Sequence, residues 1–514
     1  MTVKRIILGF LTLLVSLIIG QSLISSWNEP QVTSRLQLYQ TDLLLQATAW
    51  RGEGFSEAQV KQVRSALLGD DPVASALKEY EEVRKEAETN LTRSQDRLTQ
   101  LLPEALAISD GKAVDPLTRK LQVTVQQQAQ LIEQLDLRLG ILQAEQKEIP
   151  KALETWKDLA KIQGNVGEIA QTAKVLIGLW NTPPTVGPEA KNQIQQNLTG
   201  WFRYRALAQL YQRQQQEPAL TSLEAEEQGI AEEMLLKLLF VGFVPTLGCV
   251  IGIGLIGFLL IQRFSRGQQS LLMQNADAGW DTPWTGEIIW QVLVVGFFFI
   301  GQIVLPLLLS SFGVGFSSFS SRGRALYALI YYLLMASGGI LVLYWSIRSF
   351  RPLPSGWFRF KLWGTWVWWG LGGYLAALPL MLGISFLNQQ FWQGQGGSNP
   401  LLQTVLEEND KIAFTIFFLT AAIAAPLFEE ILFRGFLLPS LTRYIPVWGA
   451  IAASSLIFAT AHLSLSEVLP LTVLGAVLGL VYTRSRNLLA PMLLHSAWNS
   501  VTMVGLFLLG GGSN

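Results

Sequence analysis

Long apolar runs separated by short polar segments occupy most of the chain. A helix needs about 20 apolar residues to cross the hydrocarbon core of a bilayer. Runs that approach this length are 6–24, 235–261, 288–309, 326–347, 363–386, 412–438, 446–463, 468–482 and 489–509. The pattern therefore predicts an all-α, polytopic membrane bundle of about nine transmembrane helices, of which the eighth is the least well supported.

A polar, helical segment interrupts the apolar runs at residues 26–232 and predicts an extramembrane insert. It is rich in Gln, Glu, Leu and Ala, and its apolar residues recur at three- and four-residue steps. The Ala-Leu pairs at 152–153 and 219–220 are separated by about twice the roughly 34-residue period of tetratricopeptide repeats. A degenerate repeat array and a plain helical bundle both fit this pattern. Either would bind a protein partner rather than perform chemistry.

These patterns predict four parts of the chain. The first is an N-terminal membrane anchor at 1–25, and the second is the helical, possibly repeat-containing domain at 26–232. Accessory transmembrane helices follow at 233–411, and the helices that carry the candidate chemistry occupy 412–514.

Composition narrows the function classes. Half of the residues are hydrophobic and 15% are charged, whereas soluble domains carry about 25% charged residues. Lys+Arg and Asp+Glu are equal at 38 each, so nothing favours a nucleic-acid partner. The single cysteine, Cys249, excludes an internal disulfide framework and a thiolate metal cluster. Imidazole chemistry must use His462 or His495, because the chain has only two histidines.

Basic residues near the apolar runs predict the orientation in the membrane. Lys4 and Arg5 precede the first run, which places the N-terminus in the cytoplasm. With nine spans, the insert and the C-terminus are then extracytoplasmic. Arg322 and Arg324 lie in a loop predicted to be external, and they are the exception to the rule.

Ionisable residues inside the apolar runs are the candidate functional residues, because they are costly in a membrane. Glu429, Glu430 and Arg434 lie in the sixth run. Glu430 and Arg434 are four residues apart, so they share a helix face and can pair. That pairing leaves Glu429 without a structural explanation.

The seventh and ninth runs carry the matching imidazole and amide groups. His462 follows Phe458 by four residues, and Asn499 follows His495 by four residues. A carboxylate beside a histidine can deprotonate a water molecule, and a second histidine with an amide can stabilise an oxyanion. The same side chains could hold a divalent metal such as zinc, through Glu429, His462 and His495. The seventh span must be tilted or broken for these groups to meet.

Three motifs carry a resemblance to a known family. Glu429-Glu430-x-x-x-Arg434, Phe458-x-x-x-His462 and His495-x-x-x-Asn499 resemble the motifs of the CPBP intramembrane protease family. This family, also called the ABI or CAAX-protease-like family, includes the Rce-type prenyl endopeptidases. The resemblance covers 412–509, about a fifth of the chain.

The resemblance implies an intramembrane endopeptidase that cleaves a membrane-associated protein or peptide. Glu429 and His462 would activate water, and His495 and Asn499 would stabilise the oxyanion. Glu430 and Arg434 would set the geometry of the motif helix. A glutamate-dependent mechanism without a catalytic metal is favoured over a metalloprotease mechanism.

Two other function classes compete with a protease. In a non-catalytic scaffold, the helical insert would recruit partners and the motifs would be structural. In a proton-coupled transporter, the intramembrane Glu and His residues would relay protons.

Overall fold

The computed structural model describes the chain apart from residues 1, 28, 30, 32, 53, 109–115, 162–166, 312–318, 407, 409 and 511–514. The described residues form helices and turns and contain no strand. They divide into two compact units, one made of 1–32 with 241–511 and the other beginning at Thr33 and ending at Phe240. The predictions for the last four residues and for parts of the loops lie outside the described residues.

The unit beginning at Thr33 is helical, as its apolar periodicity predicts. Its helices are α2 (Thr33–Ala47), α3 (Glu57–Leu68), α4 (Pro72–Ile108), α5 (Pro116–Glu145), α6 (Ile149–Lys161), α7 (Glu168–Trp180), α8 (Ala190–Asn197), α9 (Gly200–Arg213) and α10 (Glu217–Leu238). Their lengths vary from 8 to 37 residues, so they do not repeat as equal pairs. The relation to tetratricopeptide repeats stays a prediction.

In the core of this unit, the buried Trp156 packs directly against Gly140. The indole Nε1 of Trp156 donates to the carbonyl oxygen of Leu137 at 3.1 Å. A Cβ added to Gly140 would lie 2.2 Å from the same Nε1. The contact between α5 and α6 therefore requires glycine at this position.

The other unit contains the membrane helices. The helices of this unit are α1 (Val3–Ser26), α11 (Val244–Arg266), α12 (Gly286–Gln291), α13 (Leu305–Ser311), α14 (Ser321–Ile347), α15 (Trp366–Trp392), α16 (Pro400–Leu406), α17 (Lys411–Phe418), α18 (Ala425–Glu429), α19 (Leu438–Leu441), α20 (Val447–Thr460), α21 (Leu465–Ser485) and α22 (Leu489–Gly510). Among the described residues, eight helical segments are long and apolar enough to cross a membrane. The predicted all-α polytopic membrane bundle is confirmed.

The seventh predicted run differs most from expectation. Its helix, α20, has 14 residues and a length of about 21 Å, which is short of the roughly 30 Å hydrocarbon core. The eighth predicted run, by contrast, forms the 21-residue helix α21. The sequence pattern was therefore wrong about which of the two is the short one, because a turn after Thr460 ends the seventh helix early.

Stretches of π-helix interrupt three of the membrane segments. They occupy Leu239–Phe243, between α10 and α11, and Val292–Val304, between α12 and α13. The segment Lys411–Leu441 contains two more, Leu419–Ala424 between α17 and α18 and Glu430–Leu437 between α18 and α19. Pro426 and Pro439 lie at the starts of α18 and α19, where a missing N–H alters the hydrogen-bond ladder. Such π-helical stretches are frequent at functional sites. One of them ends just before α18, and the next begins at Glu430 and contains Arg434.

Two groups of ion pairs join sequence-distant helix ends within this unit. Lys4 and Arg5, at the start of α1, pair with Glu287 at 3.0 and 2.8 Å. Arg322 pairs with Asp410 at 2.6 Å, and Asp410 also accepts from the first backbone N–H groups of α17. The pairing of Arg322 offers a structural reason for a basic residue that departs from the positive-inside pattern.

Close packing of α20 against α21 depends on two glycines. A Cβ on Gly475 would lie 2.9 Å from the Cβ of Ser455, and one on Gly479 would lie 3.1 Å from Ile451. Gly475 and Gly479 are four residues apart, a spacing of small residues that allows two helices to approach closely. It brings the backbone of α21 next to the Glu429 motif.

Candidate active site

At the buried centre of the motif, the Glu430 carboxylate contacts one guanidinium and one imidazole. Glu430 Oε1 accepts from Arg434 Nη1 and contacts His495 Nδ1, both at 2.8 Å. The side chains of Glu430 and Arg434 are 0% and 1% exposed. The predicted pairing of these two residues is confirmed. Buried ion pairs tolerate loss of one partner poorly, because the other charge stays desolvated.

Arg434 also ties the motif to the neighbouring helices. Its Nη2 donates to the carbonyl oxygen of Gly475 at 3.2 Å. Its guanidinium lies over the ring of Phe458, 4.5 Å from the centroid, a cation–π contact. Arg434 thus holds α20, α21 and the motif together.

Glu429 is the more accessible of the two glutamates, with 15% of its side chain exposed. Its Oε1 accepts from the hydroxyl of Tyr332 at 3.1 Å. Its Oε2 faces His495 Nε2 at 3.8 Å, which is too long for a direct hydrogen bond. One oxygen is held and the other faces an imidazole nitrogen across a gap.

His495 therefore lies between the two glutamates. Its Nδ1 contacts the buried carboxylate of Glu430, which also bears the Arg434 contact. When the imidazole is neutral, donation from Nδ1–H to Glu430 leaves Nε2 as an acceptor. That acceptor and Glu429 Oε2 can share one water molecule that donates a hydrogen to each.

Phe458 connects the motif residues that do not bond directly. Its ring centroid lies 5.0 Å from that of His462 and 5.9 Å from that of His495, in edge-to-face geometry. Arg434 covers the same ring. The fully buried phenyl group is therefore the common packing partner of all three.

His462 lies beyond the end of its helix rather than inside a span. Helix α20 ends at Thr460, and Leu463 has a φ of +59°, so the chain reverses there. The Nδ1 of His462 contacts the carbonyl oxygen of Phe458 at 3.0 Å. The seventh helix thus ends before His462, at this turn.

The structure brings together some of the predicted site residues and separates others. Glu429, Glu430, Arg434 and His495 form one contact network, and no hydrogen bond or ion pair joins His462 to Glu429 within the described chain. The amide Nδ2 of Asn499 donates to the backbone carbonyl of Ala421 at 2.8 Å. That carbonyl belongs to a π-helical stretch. One amide hydrogen of Asn499 is thus already used.

Tyr332 is a site residue that the sequence analysis did not identify. It lies 97 residues before Glu429, on α14. A tyrosine hydroxyl inside an apolar run needs a hydrogen-bond partner, and this need was the available signal. A pairing over such a distance cannot be read from local spacing.

The predicted zinc ligands do not assemble into a three-ligand site. No group of three His, Cys, Asp or Glu side chains able to hold a metal ion occurs in the described part of the chain. Of Glu429, His462 and His495, only Glu429 and His495 face each other, and His495 Nδ1 contacts Glu430. This donor set does not fit tetrahedral zinc.

Part of this chain is similar to a known protein family and to two membrane proteins. The family described as "Type II CAAX prenyl endopeptidase Rce1-like" matches residues 411–501. The protein YdiL of Bacillus subtilis (strain 168) is 25% identical over 141 residues, which are 27% of this chain and 57% of YdiL. The membrane-embedded CAAX protease MroQ of Staphylococcus aureus (strain USA300) is 28% identical over 142 residues, 26% of this chain and 56% of MroQ.

The matches cover one segment only. The chain spans a little over half of the length of these two relatives, and no solved structure matches it. The matched segment includes Glu429, Glu430, Arg434, His462, His495 and Asn499. Residues 411–501 therefore form an Rce1-like segment, and the family resemblance that the three motifs predict is confirmed for this part of the chain.

Proposed function

We propose that this protein is an intramembrane endopeptidase of the CAAX-protease type that hydrolyses a peptide bond of a membrane-associated protein. The observation that carries the proposal is the position of Glu429 Oε2, 3.8 Å from His495 Nε2. The second oxygen of Glu429 is held by Tyr332. A partly exposed carboxylate with one oxygen held is suited to act as a general base.

In the proposed reaction, Glu429 and His495 hold the attacking water between Oε2 and Nε2. The water oxygen forms a bond to the peptide carbonyl carbon while its proton passes to Glu429. The carbonyl becomes a tetrahedral oxyanion. The carbon–nitrogen bond then breaks, and the proton on Glu429 passes to the leaving amine.

The remaining motif residues support these steps. Asn499 has a second amide hydrogen beyond the one that Ala421 accepts, and it would donate that hydrogen to the oxyanion. His462 has an Nε2 that makes no hydrogen bond to the described residues. It would accept a hydrogen bond from the leaving amine, which receives its additional proton from Glu429. The expected partnership of Glu429 with His462 is thereby replaced by one with His495, and no metal takes part.

The substrate class follows from the membrane location and from the family. A substrate must reach Glu429 within a helical bundle, which favours a peptide segment anchored at the bilayer. The names of the relatives point to CAAX peptides. We expect the insert beginning at Thr33 to contact protein partners, and we place it outside the cytoplasm together with the C-terminus.

The test uses purified, full-length protein reconstituted in lipid vesicles. The probe is a fluorescence-quenched peptide that ends in a farnesylated CAAX sequence, and the same peptide without the lipid serves as comparison. We expect cleavage of the lipidated probe by the wild type and its loss in Glu429→Gln. Glu287→Gln is the matched control, since Glu287 pairs with Lys4 and Arg5 away from the motif. Equal cleavage by Glu429→Gln and wild type would refute the role of Glu429.

A further inference from the structure

We propose that Tyr332 is the positioning residue for Glu429, a role that rests on the proposed function. Tyr332 lies on α14, outside the segment that matches the family. Its hydroxyl lies 3.1 Å from Glu429 Oε1 and 3.4 Å from the carbonyl oxygen of Ala425. The positioning device is thus supplied by one of the accessory helices.

The hydroxyl of Tyr332 carries one hydrogen, so it can fully satisfy only one of these two acceptors. The carboxylate is closer, and a bond to an ionised group is stronger than one to a neutral carbonyl. The carbonyl of Ala425 lies one helical turn before Glu429, so both contacts come from the same face of α18. Glu429 therefore receives the hydrogen.

A carboxylate needs such a donor because the last torsion of a glutamate side chain has a broad energy profile. The bond to Oε1 fixes the plane of the carboxylate. Only Oε2 is then directed at His495 Nε2. Loss of the bond would let the carboxylate rotate, and the population with Oε2 in place would fall.

The position of Tyr332 is itself fixed by packing. Its ring meets the ring of Phe428 edge to face, with centroids 6.2 Å apart. Phe428 in turn lies against Gly339 of α14, where a Cβ would come within 2.9 Å of the ring. The register between α14 and α18 is therefore tight, and Tyr332→Phe can keep the ring while removing the hydroxyl.

The adjacent residue offers a matched control. Tyr331 donates its hydroxyl to the carbonyl oxygen of Gly301 at 2.5 Å, in the π-helical stretch Val292–Val304. Both tyrosines lie on α14 and both lose one hydrogen bond on change to Phe. Only Tyr332 touches Glu429.

The kinetic test compares Tyr332→Phe with Tyr331→Phe in vesicles with the farnesylated quenched peptide. A positioning role predicts that Tyr332→Phe lowers kcat by about 10- to 100-fold and leaves KM within about twofold, because misplacement of a base costs rate rather than binding. Tyr331→Phe should keep the wild-type kcat. A wild-type kcat for Tyr332→Phe, or an equal loss in both variants, would overturn the proposal.

A second measurement keeps the inference separate from the proposed function. Melting temperatures are measured for Tyr332→Phe, Glu429→Gln and the double variant, and the same cycle is run with Tyr331→Phe. We expect the shifts to be non-additive for Tyr332 with Glu429 and additive for Tyr331 with Glu429. If the wild type cleaves no probe, the proposed function fails, and this cycle still decides whether Tyr332 holds Glu429. Additive shifts for both tyrosines would refute the inference.

Discussion

His495 contacts Glu430 through Nδ1 at 2.8 Å, in the fully buried part of the motif. The same imidazole turns its other nitrogen toward Glu429. The two adjacent glutamates thus have different surroundings. Glu430 is fully buried and its Oε1 is bound by His495 and Arg434, whereas Glu429 is partly exposed and its Oε2 lies 3.8 Å from His495 Nε2.

Changing each histidine to Gln should distinguish the roles of the two imidazoles. His495→Gln removes the contact with Glu430 and the acceptor opposite Glu429, so we expect a 100-fold or greater loss of kcat and a lower melting temperature. His462→Gln should lower kcat with little change in melting temperature, because Nδ1 contacts only the carbonyl of its own helix. Peptide cleavage and thermal unfolding in vesicles check both. An undiminished kcat in His495→Gln would contradict the proposed water site.

We expect the stability of the fold to depend on Glu430 and Arg434 being present together, more than on the charge of either residue alone. Arg434→Met removes the guanidinium and leaves the buried Glu430 carboxylate with His495 as its remaining partner. We expect this change to destabilise the protein by about 3–5 kcal/mol. The double variant Glu430→Gln with Arg434→Met should recover part of that loss. Unfolding of the purified protein measures both. No destabilisation in Arg434→Met would show that the pair is not a structural requirement.

Arg434 shows which kind of contact the sequence alone can predict. The four-residue spacing correctly predicts its bond to Glu430, since both groups belong to one helix. The bond from Tyr332 to Glu429 joins residues on two helices, and one sequence without its tertiary packing does not reveal it. The motif spacing places His495 and Asn499 on one face. It does not reveal that a π-helical stretch exposes the carbonyl of Ala421 to Asn499.

The membrane spans also include features that the sequence alone predicts and features that it does not. Hydropathy predicts the all-α bundle because every spanning helix must satisfy its own backbone polar groups. It overestimates the length of α20, since the residues after Thr460 are apolar enough to extend the run but form a turn. Local hydropathy does not register the reversal at Leu463.

Gly475 should be intolerant of even one additional carbon. A methyl group there would meet Ser455 at 2.9 Å, so Gly475→Ala should push α21 from α20 and lengthen the bond from Arg434 to the Gly475 carbonyl. We expect a destabilisation of about 1–3 kcal/mol and a fall in kcat. Gly505→Ala is the control, because nothing lies within 4 Å of the added carbon. Equal stability of the two variants would argue against close packing here.

Asp410 should make stability depend on pH. The hydrogen bond from Arg322, together with the backbone N–H groups of Ile412 and Ala413, lowers the pKa of Asp410 below its ordinary value of 3.8. A carboxylate with a lowered pKa stabilises the fold above that ordinary value, and this contribution is lost as the pH falls through the folded-state pKa. Asp410→Asn should therefore melt below the wild type at pH 7.

The difference between wild type and Asp410→Asn should shrink on acidification to about pH 3, and high salt should reduce it at pH 7 because the pair is exposed. Melting curves across this range provide the check. A difference that does not change with pH would mean that the Asp410 charge contributes nothing.

The most direct test of the account compares membrane protein termini in cells that carry the wild type, Glu429→Gln or Glu287→Gln at equal expression. The Gln change removes the base and preserves the size of the side chain. We expect new termini in the wild type and in Glu287→Gln, and accumulation of the uncleaved proteins in Glu429→Gln. Identical termini in all three, with a substrate shown to be cleaved in none, would contradict the protease and favour a scaffold or a transporter.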